Sequence, residues 1–179
     1  MRFRDAWGVW CTISNIAFVW PQVWRTVRHD TTHGISPFAT LHGMVGAALW
    51  FTYGLQEAIP AMWVANASFL TAQSIMGAVM LRQGRMDRLF VLRFVTALVI
   101  LLSVGLPVSP AVVGWMATVV SASSMVPTVA HVAREKNLHG ISVLSWGITI
   151  ASAASWMAYG FMLDDPIMVN INYVTIPMM

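Results

Sequence analysis

PQVWRTVRHDTTHGIS (Pro21–Ser36) is written a second time in this chain, as PTVAHVAREKNLHGIS (Pro127–Ser142). The first copy continues through AALWFTYG (Ala47–Gly54) to Pro60 and Asn66, and the second through AASWMAYG (Ala153–Gly160) to Pro166 and Asn172. The copies align without a gap at an offset of about 106 residues, with roughly a quarter of the positions identical. The shared residues include His33 and His139, Gly34 and Gly140, Trp50 and Trp156, Tyr53 and Tyr159, and Asn66 and Asn172. Two unrelated apolar helices share leucines by chance. They do not share Pro, His-Gly-Ile-Ser, Trp, Tyr-Gly and Asn in one register, so the chain is an internal duplication.

The 179 residues are 58% hydrophobic and 9% charged, whereas a soluble domain carries about 25% charged residues. An integral membrane protein is expected. The net charge of +3 does not point to nucleic acid, because the basic residues lie in short loops between apolar runs, where they set topology. Cys11 stands alone and has no disulfide partner within the chain. Ala6–Trp24 lacks a small-residue cleavage site and belongs to the first copy, so it does not read as a signal peptide.

A spanning helix needs about 20 apolar residues. Seven stretches fit: Ala6–Val27, Ser36–Leu55, Pro60–Leu81, Leu89–Leu106, Pro110–Ala133, Ser142–Met162, and Pro166 to the end. The expected fold is an all-α membrane protein with two parallel three-helix-bundle repeats joined by a linker helix. The first repeat covers residues 1–82, the linker helix 83–109, and the second repeat 110–179. Three helices are an odd number, so directly joined copies would point opposite ways; one extra span restores the same orientation. Arg25, Arg28, Arg82, Arg85, Arg88, Arg134 and Lys136 then fall on one side, while Glu57, Asp164 and Asp165 fall on the other. The basic side is cytoplasmic, which puts the N-terminus outside and the C-terminus inside.

Trp50 lies about five residues before the end of the second span and Asn66 about six after the start of the third, so both sit roughly 8–9 Å beneath the outer helix ends. Trp156 and Asn172 repeat that depth. If the copies face each other about an axis along the membrane normal, two tryptophans and two asparagines meet around one cavity. The set suits a neutral polyhydroxylated ligand. An indole face stacks on the C–H face of a sugar ring, and a carboxamide offers donors and an acceptor to hydroxyls. A single membrane Trp is more often an interfacial anchor, and a single Asn more often joins helices. Four residues at one depth, repeated at the same spacing, favour the site. Asn15 and its counterpart Ser121, and Gly46 and its counterpart Ser152, are further cavity-lining candidates.

Pro21 and Pro127 sit near the cytoplasmic ends of the first and fifth spans, where a proline frees a backbone carbonyl and makes a hinge. His33-Gly34-Ile35-Ser36 and His139-Gly140-Ile141-Ser142 read as turns in which Gly takes the left-handed conformation and Ser caps the next helix. The two histidines lack further ligands nearby in sequence, so no metal is expected. His42 is the ionisable side chain well inside a span, a functional suspect on that ground; its counterpart is Ile148. No carboxylate lies deep in a span. There is also no phosphate loop and no nucleophile with a base, so enzyme readings have no foothold and no cofactor is expected.

Pro21-Gln22, weakened to Pro127-Thr128, together with Gly-Ile-Ser, Trp-x-x-Tyr-Gly and the two asparagines, resembles the PQ-loop superfamily, and within it the SWEET and SemiSWEET sugar transporters. The resemblance covers nearly the whole chain. It implies sugar facilitation by alternating access, with Trp50, Asn66, Trp156 and Asn172 on the sugar and Tyr53, Tyr159 and Asp165 at an outer gate. The family pairs the Tyr with an Asp before a Pro. The second copy keeps it as Tyr159 and Asp165-Pro166, but the first has Ile59 before Pro60, so the expected gate is one-sided. Short loops and the missing C-terminal tail point to a bacterial cytoplasmic membrane protein. The expected function is facilitative uniport of mono- or disaccharides. The alternatives are a PQ-loop carrier of amino acids or another small polar solute, which would want a buried carboxylate, and a non-transporting receptor, which would want a charged cavity. The expected partners are sugar and the lipid bilayer, not nucleic acid, with room for assembly into a homo-oligomer.

Overall fold

A computed structural model describes residues 2–126 and 143–178, with side chains from 147 onward in the second segment. The described residues form seven α-helices: α1 (Phe3–Arg28), α2 (Pro37–Gln56), α3 (Pro60–Arg82), α4 (Arg88–Gly105), α5 (Pro110–Ser123), α6 (Val143–Met162) and α7 (Pro166–Thr175), with a short 3₁₀ turn at Ile176–Met178. Pro127, His139, Gly140 and Ser142 lie outside the described residues.

Local chemistry sets the helix starts. Pro37, Pro60, Pro110 and Pro166 each stand in the first turn, where the missing N–H has no intrahelical acceptor to lose. The side chains of Ser36, Asp87, Ser109 and Asp165 accept hydrogen bonds from first-turn amides. Gly34 takes φ +80° just before Ser36, so the turn and cap expected there are present. α1 runs through Pro21 without a break in helical assignment. The fifth span was expected to reach Ala133. α5 is assigned through Ser123; Ser124 keeps helical angles (φ −65°, ψ −24°) with its hydroxyl bonded to the Ser121 carbonyl at 2.6 Å, residues 125–126 are helical again, and the stretch from 127 to 133 lies outside the described residues.

Within the first repeat, α3 packs between α1 and α2; in the second, α7 packs against both α5 and α6. The repeats meet along two seams, α2 with α5 and α1 with α6. Those seams interchange the second helix of one repeat and the first of the other, as a two-fold arrangement demands. α4 leans on α2 and α5 and buries little beyond Gly105. Its Leu89, Leu92, Val95, Val99, Ile100 and Val104 face outward.

Among the described residues α3 and α4 are, by length and composition alone, apolar enough to cross a membrane. α5 is apolar but 14 residues long and α7 has 10, while apolar side chains such as Trp10, Phe18, Trp24, Trp115 and Val119 are left exposed. That is the inverse of a soluble protein's surface.

The main core cluster joins both repeats: Cys11, Leu49, Tyr53, Ile59 and Met62 from the first pack with Val113, Ala117, Tyr159, Ile167 and Met168 from the second. At the other end of the first repeat, Arg85 donates to the Thr32 and Ile35 carbonyls, and Arg82 pairs with Asp30. The residues expected to set topology therefore also clasp the α1–α2 loop.

Candidate functional site

The duplicated residues converge. Trp50, Asn66, Trp156 and Asn172 line one cavity of about 190 Å³ with Asn15, Met62, Met168 and Ile171. Trp50 and Asn66 arrive there because Tyr53-Gly54 and Pro60 turn the chain tightly between α2 and α3. A Cβ on Gly54 would lie 3.0 Å from the Trp63 amide nitrogen, and one on Gly160 would lie 3.2 Å from that of Val169. Only glycine lets each hairpin close so far.

The two asparagines are held alike. Asn66 Nδ2 donates to the Met62 carbonyl at 2.9 Å, and Asn172 Nδ2 donates to the Met168 carbonyl at 2.9 Å. Each spends one amide hydrogen on its own helix, leaving one N–H and the carboxamide oxygen for a ligand. The tryptophans are also matched. Trp50 meets Tyr53 edge-on at 5.8 Å and 75°, and Trp156 meets Tyr159 at 6.1 Å and 67°.

The second layer is not matched. Trp50 Nε1 donates across the α2–α5 seam to Ser121 Oγ at 3.0 Å. The counterpart bond would join Trp156 to Asn15, but Asn15 Oδ1 is buried with no partner. An unsatisfied buried acceptor costs about 1–3 kcal/mol, and here it borders the cavity. Gly46 faces Ser121 Oγ, 3.1 Å from where a Cβ would be, and lines an adjoining chamber. Ser152 is half-buried on α6 and lies on neither chamber.

Above the cavity, on the side of Glu57 and Asp164, is a vestibule of about 460 Å³ lined by Tyr53, Ile59, Tyr159, Asp165 and Ile167, among others. Vestibule and cavity share no lining residue; the core cluster lies between them. Its polar member is the buried hydrogen bond from the Tyr53 hydroxyl to Asp165 Oδ2, 2.9 Å. Asp165 Oδ1 meanwhile accepts from the Ile167 and Met168 amides at 2.9 and 3.1 Å.

This corrects the expected pairing within the second copy. Asp165 takes Tyr53 of the first repeat, not Tyr159. The reason is the exchange of helices across the seams: Tyr53 rests on Gly114 of α5, and the Tyr159 hydroxyl lies over Gly8 of α1. The first repeat has no matching acceptor, since Ile59 stands where a second carboxylate would. Sequence reasoning gave His42 no partner. Its Nε2 lies 2.8 Å from the Val120 carbonyl and 3.1 Å from Ser123 Oγ, and neither partner is part of a motif.

Residues 111–179 match a family described as "Sugar efflux transporter for intercellular exchange". No curated protein matches the sequence. Among solved structures, the chain is similar to a eukaryotic SWEET transporter at a TM-score of 0.69 and 13% identity, over 99% of this chain and 94% of that one. At that identity the likeness speaks for the fold. The second repeat is thus similar in sequence to that sugar-transporter family, and the whole length has the all-α fold of that SWEET structure.

Proposed function

We propose that this protein is a facilitative uniporter of mono- or disaccharides that works by alternating access. The observation that carries the proposal is the single cavity where Trp50, Trp156, Asn66 and Asn172 meet. Two indole faces and two half-committed carboxamides match a ring with C–H faces and a rim of hydroxyls, and among the described residues no charged side chain lines the cavity. The sealed vestibule fits an outward-closed state, with Tyr53, Tyr159 and Asp165 as the outer gate and Pro21 and Pro127 as hinges. The division at residues 82 and 110 gives two rocking bodies, with α4 carrying the chain back across the bilayer. Loop charge supports an orientation with the N-terminus outside and the C-terminus cytoplasmic, and the short loops suit a bacterial cytoplasmic membrane.

The test is flux into proteoliposomes of radiolabelled glucose, sucrose and maltose beside alanine and lysine, with and without imposed proton or sodium gradients. Sugar should equilibrate without accumulating, whatever the gradient. Amino-acid flux without sugar flux, or accumulation that an uncoupler collapses, would refute uniport of sugar.

A further inference from the structure

The cavity has an annexe. A second chamber of about 240 Å³ shares Asn15, Trp50 and Asn66 with the first and extends along α2 and α5 to His42, Gly43, Gly46, Ser121 and Ser124. The two are neighbouring rooms with Trp50 and Asn66 in the common wall.

We propose that the inner chamber holds the second ring of a disaccharide, and that His42, with Asn15 at the junction, recognises that ring. The inference rests on the sugar-transport reading above and narrows its substrate class. Size is the first argument. The outer cavity alone lies below the roughly 300–1,000 Å³ typical of small-molecule sites, while the joined chambers enter that range. Chemistry is the second. A chamber that only conducted would have its polar groups satisfied, but Asn15 Oδ1 is buried and unpartnered where the chambers meet. A hydroxyl near the glycosidic link would donate to it. His42 is the third. The Val120 carbonyl can only accept, so Nε2 carries the hydrogen at 2.8 Å, and Nδ1 is the ring's remaining polar atom. Ser121 and Ser124 add hydroxyls to the same wall.

Several of the residues that line this chamber are not repeated in the second half. The counterparts of His42, Gly43 and Phe69 are Ile148, Thr149 and Thr175. A disaccharide would therefore bind in one sense only, its first ring on the symmetric cavity and its second on the α2–α5 side.

Gly43 provides the test. A Cβ there would sit 3.5–3.6 Å from Phe69 and Gln73, ordinary contact, so Gly43→Ala is accommodated and Gly43→Val adds two further methyls that fill more of the chamber. Flux of glucose and of maltose is measured in proteoliposomes for the unaltered protein, Gly43→Ala, Gly43→Val and His42→Ala, each checked by size-exclusion profile. The ratio of maltose to glucose flux should fall roughly tenfold in Gly43→Val, about what one or two lost polar contacts would give, with smaller falls in Gly43→Ala and His42→Ala. A parallel loss of both sugars would make the chamber a shared passage and overturn the proposal. So would glucose flux with no disaccharide flux in the unaltered protein, which leaves the sugar reading standing. Flux of neither sugar would overturn that reading itself.

Discussion

The two repeats are alike where they touch the cavity and unlike where they touch each other. Both asparagines bond to the carbonyl four residues back, both tryptophans meet a tyrosine edge-on, and both Tyr-Gly glycines abut the following helix. The seams differ. The α2–α5 seam is pinned by Trp50 to Ser121 and His42 to Val120. The α1–α6 seam is pinned by Trp7 Nε1 to the Ser155 carbonyl, 2.9 Å. A seam or a gate needs only enough bonds to hold, and one strong bond serves as well as two weak ones. Duplication kept the first set paired and let the second diverge.

Removing the paired residues should have the largest effect. Trp50→Ala and Trp156→Ala should each lower sugar flux by about a hundredfold, roughly 2.7 kcal/mol, with membrane insertion retained. Normal flux in both would dissolve the symmetric half of the comparison. The gate comes next and should be lopsided. Tyr53→Phe removes a buried bond to a carboxylate worth about 1.5–3 kcal/mol. With Ile171→Cys as a reporter beneath the gate, in a Cys11→Ser background, an external thiol reagent should label it roughly tenfold faster in Tyr53→Phe. Tyr159→Phe should leave the rate unchanged; equal acceleration would mean the gate is symmetric after all.

The glycines should respond together. Gly54→Ala and Gly160→Ala each overpack a hairpin by one methyl and should cost about 1–3 kcal/mol, read as similar falls in thermal midpoint in detergent. A large cost in one alone would mean the hairpins are not equivalent. Pro21→Ala should be the mildest. Restoring a helical hydrogen bond stiffens α1, so the transport rate should drop by roughly two- to fivefold at unchanged equilibrium sugar binding. Binding lost in proportion to flux would assign the proline to the site instead.

Depth was legible in the sequence; neighbourhood was not. Helical rise places Trp50 and Asn66 at one level, and the duplication places Trp156 and Asn172 there too, so their meeting in one cavity followed once the repeats faced each other. Helix starts were equally readable, because Pro60, Pro166 and Ser36 act on the backbone within one turn. The Tyr53–Asp165 pair joins residues 112 apart, and His42 reaches a carbonyl 78 residues away. No periodicity encodes such a choice. A carbonyl has no residue type to recognise, and the exchange of helices between repeats is a property of packing.

Asp165 commits both its oxygens, one to the start of α7 and one to Tyr53. Fixing a free side chain costs about 0.5–1.5 kcal/mol of rotational freedom, and a latch assembled from mobile parts would meet that cost at every closure. This carboxylate is already fixed by the helix it caps, and Tyr53 meets Trp50 of its own helix edge-on. In the proposed transport cycle, closing this gate would freeze little of the carboxylate, which the start of α7 already holds, and the strength of its bond to Tyr53 would go into holding the repeats together rather than into arranging the acceptor.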